Sequence, residues 1–148
     1  MSPSQTIFTD LLNKHRHSLT RQRLAVFDSL KGQEPLSLQQ IIERAGGKAD
    51  RASIYRAIDL FETIGIIQRI PLGPKPRFEL SDLFSSHHHH ISCLSCSSIK
   101  AIHIPSIELF IEKLGQKLNY RITDHQLEIQ GVCQTCEQTG KHQLALTG

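Results

Sequence analysis

The stretch DRASIYRAIDLFETIGIIQRI, residues 50–70, decides how the rest of the chain is read. Asp50 is a good helix N-cap, because its carboxylate can accept from the unpaired backbone N–H groups of a first turn. Ile54, Ala57, Ile58, Phe61 and Ile64 then recur at helical spacing and line one side. Gly65 stands where a helix end favours glycine. A β-type run follows over 66–70.

Working outward, the flanks supply the partners that such a helix needs. Upstream, Ile7, Phe8, Leu11 and Leu12 have helical spacing. Leu24, Phe27 and Leu30, with Val26 beside them, mark a second helix capped by Thr20, which Gly32 and Pro35 break. Ser37 opens a third helix, and Gln40 completes a capping-box pattern. Ile41, Ile42 and Ala45 form its apolar face, and Gly46-Gly47 stops it. Downstream, PLGPKP (71–76) must turn, and residues 77–80 read as a returning strand. The second, third and fourth helices followed by a hairpin describe a winged helix-turn-helix.

Composition shifts at residues 81–86. Beyond it lie β-type runs at 91–93 and 99–104, then an amphipathic helix opened by Pro105 and carrying Ile107, Phe110, Ile111, Leu114 and Leu118. Strand signals return at 120–123 and 127–132, and residues 137–148 read as a polar tail. The expected fold class is α+β: an N-terminal winged helix-turn-helix over 1–82, a hinge over 83–86, and a small C-terminal α/β domain over 87–148.

The whole chain bounds what these parts can do. Of its 148 residues 39% are hydrophobic, but only 5% are aromatic and Trp is absent, so the expected core is aliphatic. Two halves of a chain this short are each marginal alone and need a metal or a partner subunit. Residues 1–82 hold twelve Lys/Arg against nine Asp/Glu, and residues 83–148 five of each, so the whole +3 excess lies in the first half. Residues 14–23 carry four basic residues, two histidines and no acid. Such a patch is either a solvated surface or a nucleic-acid contact. Residues 1–20 lack a continuous apolar run, and no stretch approaches the ~20 apolar residues that span a bilayer. The expectation is a cytoplasmic chain without membrane insertion, where four cysteines point to metal before disulfides.

Those cysteines form two Cys-x-x-Cys turns, Cys93/Cys96 and Cys133/Cys136, separated by 36 residues. Each turn can present two sulfurs to one ion, and four thiolates close a tetrahedral zinc with no vacancy. A redox pair or buried free thiols compete with that reading, but the doubled spacing favours one structural zinc. The His-x-Glu and Pro-Cys-x-x-Cys of zinc deaminases are missing. No nucleophile–base pair stands out, so no enzyme is expected.

Just before the first pair stand His87, His88, His89 and His90. In an extended strand alternate residues face opposite sides, so His87 and His89 point one way and His88 and His90 the other. One run can then serve two sites. Glu79, His103, Glu108 and His125 are the candidates for further ligands. Imidazole suits zinc, iron, manganese and nickel alike.

With these residues in place the sequence resembles the ferric uptake regulator (Fur) superfamily of metal-dependent repressors. The resemblance rests on Leu19-Thr-x-x-Arg23, Ser53-Ile-Tyr-Arg56, Glu62-x-x-Gly65-Ile66-Ile67, Phe78-Glu-Leu80, His87-His-His-His-x-x-Cys-x-x-Cys96, Ile107-Glu108, Arg121-Ile-Thr-x-His125 and the second Cys pair. It implies a homodimer with a C-terminal dimerisation domain. It implies structural zinc on Cys93, Cys96, Cys133 and Cys136. A second site within the dimerisation domain falls on His87, His89, Glu108 and His125. A regulatory site at the hinge falls on Glu79, His88 and His90. Many relatives also place a His where this chain has Pro35 and an acid where it has Ala101. His103 lies two residues further along the same strand face and is the expected substitute. The regulatory ion is expected to be Fe²⁺ or Zn²⁺, with Mn²⁺ also compatible.

The fourth helix is the expected reader of double-stranded DNA. Tyr55 and Arg56 lie off its apolar face near its N-terminus, where a recognition helix meets base edges. Ser53 shares that turn. Arg51, Lys75 in the wing, and Arg21 or Arg23 are placed for phosphates, which position without specifying. The resemblance also implies a minor-groove contact, for which Arg16 is the candidate. A palindromic operator and repression of metal-uptake genes at high metal are the implied output. The alternatives are a winged-helix regulator with structural zinc only and a lost sensing site, and a metal-storage or metallochaperone protein using the histidine run.

Overall fold

The computed structural model describes residues 1–32, 34–73 and 75–140. The chain divides into two compact units, Met1–Ser86 and His87–Gly148.

The first unit runs α1 (Pro3–Lys14), α2 (Arg21–Ser29), β1 (Leu36–Ser37), α3 (Leu38–Ala45), α4 (Arg51–Thr63), β2 (Ile67–Ile70) and β3 (Arg77–Leu80). Every helix start has a side-chain cap. Ser2 and Ser37 make full capping boxes with Gln5 and Gln40, Thr20 accepts from the Arg23 amide, and Asp50 accepts from the Ser53 amide. Gly46 ends α3 at φ 58°, a left-handed conformation that a side chain would strain. The wing is the antiparallel β2–β3 pair, with Ile67 opposite Leu80 and Ile70 opposite Arg77. A third strand, β1, completes the order β1-β3-β2 by setting Leu36 opposite Phe78.

The core of this unit departs from the expected aliphatic composition. Phe8 stacks on Phe27 with centroids 4.2 Å apart, and Phe61 meets Phe8 edge-on at 5.3 Å. All three are fully buried among Leu12, Val26, Ile41, Ile54 and Ile66. A low aromatic fraction says how many rings there are, not where they gather. The segment 83–86, expected as hinge, belongs to this unit, and Phe84 packs edge-on against Phe27 at 5.1 Å.

The second unit runs β4 (His89–Cys93), β5 (Ile99–Ile102), α5 (Pro105–Leu118), β6 (Glu128–Gly131) and α6 (Gln134–Gln138). Its sheet order is β5-β4-β6, with β4 antiparallel to β5 and parallel to β6. Three expectations change here. Strand β5 stops at Ile102, because Pro105 starts α5 and restricts Ile104, its N-cap, to an extended non-ladder conformation. The run 120–123 forms no strand. Asn119 ends α5 at φ 59°, and the Tyr120 amide donates back to the Gly115 carbonyl at 2.8 Å, so the chain turns over the helix. Gly115 permits that approach, since a Cβ there would lie 2.7 Å from Ile122 Cγ1. Finally, the expected tail at 137–148 begins inside α6, and its residues 141–148 lie outside the described residues.

The two units differ in their burial. Among the described residues, no aliphatic side chain of the second unit is buried. Leu109, Phe110, Leu114 and Leu118 on α5 are exposed, as are Tyr120 and Ile122 after it.

Candidate metal centres and nucleic-acid face

The four cysteines converge. Cys93 ends β4, Cys96 lies in the turn after it, Cys133 is the N-cap of α6 and Cys136 sits within that helix. Their sulfurs all lie within 4.8 Å of one another, and Cys96 Sγ is 3.9 Å from Cys133 Sγ. A tetrahedron of ~2.3 Å Zn–S bonds has sulfur–sulfur edges of about 3.8 Å, so the donors fit that ion. All four thiols are free. The Cys133 amide donates to Cys93 Sγ at 3.2 Å. That bond, helped by the Cys96 amide, pulls the Cys93 thiol down to about 6. The Ser98 hydroxyl lowers Cys96. Cys136 moves the other way, to about 12, through its hydrogen bond with Cys133 and through burial. The cluster thus favours some thiolate, but crowding opposes four negative charges without a cation.

A second set of donors gathers between β4, α5 and the segment before β6. His87, His89, Glu108 and His125 offer ligand atoms all within 4.8 Å of one another. His89 Nε2 lies 2.6 Å from Glu108 Oε1, His125 Nε2 lies 3.0 Å from Glu108 Oε2, and His87 Nε2 lies 3.0 Å from His125 Nε2. Four donors around an ion at ~2.0–2.1 Å would stand about 3.3 Å apart, within the spread seen here. Three imidazoles and one carboxylate suit Zn²⁺ or Fe²⁺ better than a hard all-oxygen ion. The His89 and then the His125 rings, hydrogen-bonded to it, hold the Glu108 carboxyl below its usual range.

The alternate histidines form a separate pair. The His88 and His90 rings have centroids 4.9 Å apart. His90 Nδ1 lies 3.2 Å from Glu128 Oε1, a residue that sequence reasoning did not select. The signal that could have found it is strand register: His90 and Glu128 are direct partners in the β4–β6 pair. His103, the expected substitute acid-side ligand, lies beyond the end of β5, is exposed, and has its ring centroid 5.9 Å from that of His88. Glu79 lies on β3 in the first unit, where it accepts from Gln68 Nε2 at 2.6 Å.

On the first unit, α4 presents Arg51, Tyr55 and Arg56 outward; Tyr55 is 49% exposed. Ser53 is tied into the helix cap. Its hydroxyl donates to Asp50 Oδ2 at 2.7 Å and accepts from Arg56 Nη2 at 3.2 Å. The cap therefore steers a basic side chain. Arg23 is partly committed elsewhere, donating to the Ser18 carbonyl at 2.5 Å. Arg16 is exposed with φ 61°. Lys75 is exposed in the wing turn. Arg21 borders an open cleft of about 440 Å³ with Lys31, Arg44 and Lys48, three basic residues that the linear pattern did not bring together.

Comparison with known proteins places this geometry. A family model described as the ferric uptake regulator family matches residues 14–130. The ferric uptake regulation protein of Neisseria meningitidis is 35% identical over 129 residues, covering 83% of this chain and 88% of that protein. Among solved structures, the Vibrio cholerae ferric uptake regulator aligns with a TM-score of 0.70 at 26% identity, covering 84% of this chain and 98% of that one. The Francisella tularensis ferric uptake regulator, solved with iron, aligns with a TM-score of 0.67 at 25% identity over 81% of this chain and 94% of that one.

Proposed function

The chain belongs to the ferric uptake regulator family, and from that membership we propose that it is a dimeric, metal-responsive DNA-binding repressor of metal-homeostasis genes. The observation that carries the proposal is the pairing of a capped, outward-facing α4 in one unit with two gathered donor sets in the other. A storage protein would have no use for the first.

The roles divide by chemistry. Cys93, Cys96, Cys133 and Cys136 hold structural zinc, since four thiolates leave no position open and exchange slowly. His87, His89, Glu108 and His125 hold a second ion of zinc or ferrous character. His88 and His90, with Glu79 assigned by the family resemblance, serve the regulatory ion; Fe²⁺, Zn²⁺ and Mn²⁺ are the candidates. Metal that prefers the DNA-binding conformation shifts the population toward it. Arg51, Tyr55 and Arg56 read or contact DNA, with Lys75, Arg21 and Arg16 on phosphates. A dimer presents two such helices to a palindromic site. The dimer also covers what one chain leaves bare, because among the described residues the second unit buries no aliphatic side chain and exposes the α5 face. Among the described residues no helix is long and apolar enough to cross a membrane. A cytoplasmic location suits a DNA-binding repressor.

The test is metal content by native mass spectrometry on protein purified with and without a mild chelator. One zinc per chain should resist the chelator, and further ions should leave and return. Protein that never holds metal beyond background would overturn the proposal.

A further inference from the structure

His90 stands in the middle strand of the second unit's sheet, between Ala101 on β5 and Glu128 on β6. Residues directly opposite in a sheet project to the same side. The β5 neighbour is a methyl group and offers no donor. The β6 neighbour is a carboxylate whose Oε1 lies 3.2 Å from His90 Nδ1. The side chain is 16% exposed, and its Oε2 is buried without a hydrogen-bond partner. A buried carboxylate oxygen left unsatisfied is unfavourable unless positive charge stands nearby.

The tautomer follows from the pairing. An ionised carboxylate can only accept, so Nδ1 of His90 carries the proton and Nε2 presents its lone pair. A carboxylate on the far nitrogen of a histidine fixes ring and tautomer for metal binding at the near one and makes the ring more basic. The ring of His88 is 4.9 Å away, centroid to centroid. We propose that Glu128 is the positioning carboxylate of the His88/His90 metal site, supplying from β6 the negative charge that Ala101 cannot supply from β5. This rests on the reading of His88 and His90 as regulatory ligands. Glu128 acts through His90, whereas His103, beyond the end of β5, was expected to bind the ion directly.

The experiment is Co²⁺ and Zn²⁺ titration of the full-length dimer with its structural zinc retained, comparing Glu128→Ala, Glu128→Gln, His90→Ala and His103→Ala with the parent. Readouts are site affinity by chelator competition and the Co²⁺ absorption spectrum. Loss of an outer-shell carboxylate costs roughly 10–100-fold in metal affinity, and Glu128→Ala should fall in that range. Glu128→Gln keeps the shape and an acceptor for the Nδ1 proton but removes the charge, so it should recover only part of the loss, whereas a packing role predicts full recovery. Cysteine-bound zinc content should be the same in all variants, which also checks folding. If His90→Ala removes one binding event but Glu128→Ala binds like the parent, Glu128 has no such role. If Gln binds as tightly as the parent, the negative charge is not the cause, and the role of a positioning carboxylate is overturned. If His90→Ala leaves stoichiometry unchanged, the underlying reading of the site fails instead. If His103→Ala weakens binding and Glu128→Ala does not, the assignment belongs to His103.

Discussion

His89 Nε2 lies 2.6 Å from Glu108 Oε1, so the first residue of β4 is joined to the first turn of α5. The carboxylate sits where the N-terminal end of a helix favours negative charge. Its other oxygen reaches His125. Glu108→Gln keeps the shape but removes the charge. Metal affinity at this centre should fall at least about tenfold, the lower end of what even an outer-shell carboxylate contributes. Chelator competition measures it, and an unchanged affinity would show that the cluster is a hydrogen-bonded core rather than a metal site.

Cys136→Ser removes one of four converging sulfurs. Zinc content should drop from about one equivalent per chain toward zero, as expected for a closed structural site. The second unit should then lose its cooperative melting transition while the first keeps its own. Atomic emission and calorimetry on one sample decide the matter. Retained zinc would place the ion elsewhere.

The α4 cap predicts a pH dependence. The Ser53 hydroxyl and then the Ser53 amide hold the Asp50 carboxyl below the usual aspartate value of 3.8. The folded value is thus the lower one. The resulting stabilisation is complete above the unfolded value and disappears as pH falls through the folded value. Asp50→Asn should therefore flatten the acid limb of the first unit's stability below about pH 5, read from urea midpoints across pH. An identical acid limb in the variant would contradict this.

Arg56→Ala should weaken operator binding by roughly 1–3 kcal/mol, about 5- to 150-fold, and relax specificity at one position. Arg16→Gly separates two roles. It relieves the φ of 61°, so stability should hold or rise slightly. It also removes a charge, so affinity should drop uniformly across sequences with a salt slope smaller by about one. Fluorescence anisotropy at several salt concentrations reads both. A salt slope equal to the parent's would take Arg16 off the DNA.

Phe110→Glu places a charge on the exposed apolar face of α5, where Phe110 is 65% exposed in one chain. If a second copy covers that face, sedimentation should show a shift from dimer to monomer. A variant that stays dimeric would move the interface elsewhere.

Much of this was legible in the sequence because the signals are local. Thr20, Ser37 and Asp50 each capped a helix at the position that their spacing from an apolar stripe implied. Strand β1 was not legible, since two residues after a proline carry no period and exist as a strand by pairing with β3. The β-type run at 120–123 misled because propensity cannot supply a neighbouring strand. The alternation of His87 and His89 against His88 and His90 followed from strand geometry, and the donor sets divide accordingly. Glu128 was hidden by distance along the chain: it lies 38 positions after His90, and it is the parallel register of β4 and β6 that joins them.

The central claim is that metal bound in the second unit controls DNA binding by α4. The most direct measurement is operator affinity of the full-length dimer, at fixed salt, as Fe²⁺, Zn²⁺ or Mn²⁺ is titrated with the structural zinc in place. The account predicts that at least one of these ions tightens binding about tenfold or more, within the range of ordinary allosteric coupling, and that His90→Ala abolishes the response. Operator binding of equal strength with and without all three ions would contradict it.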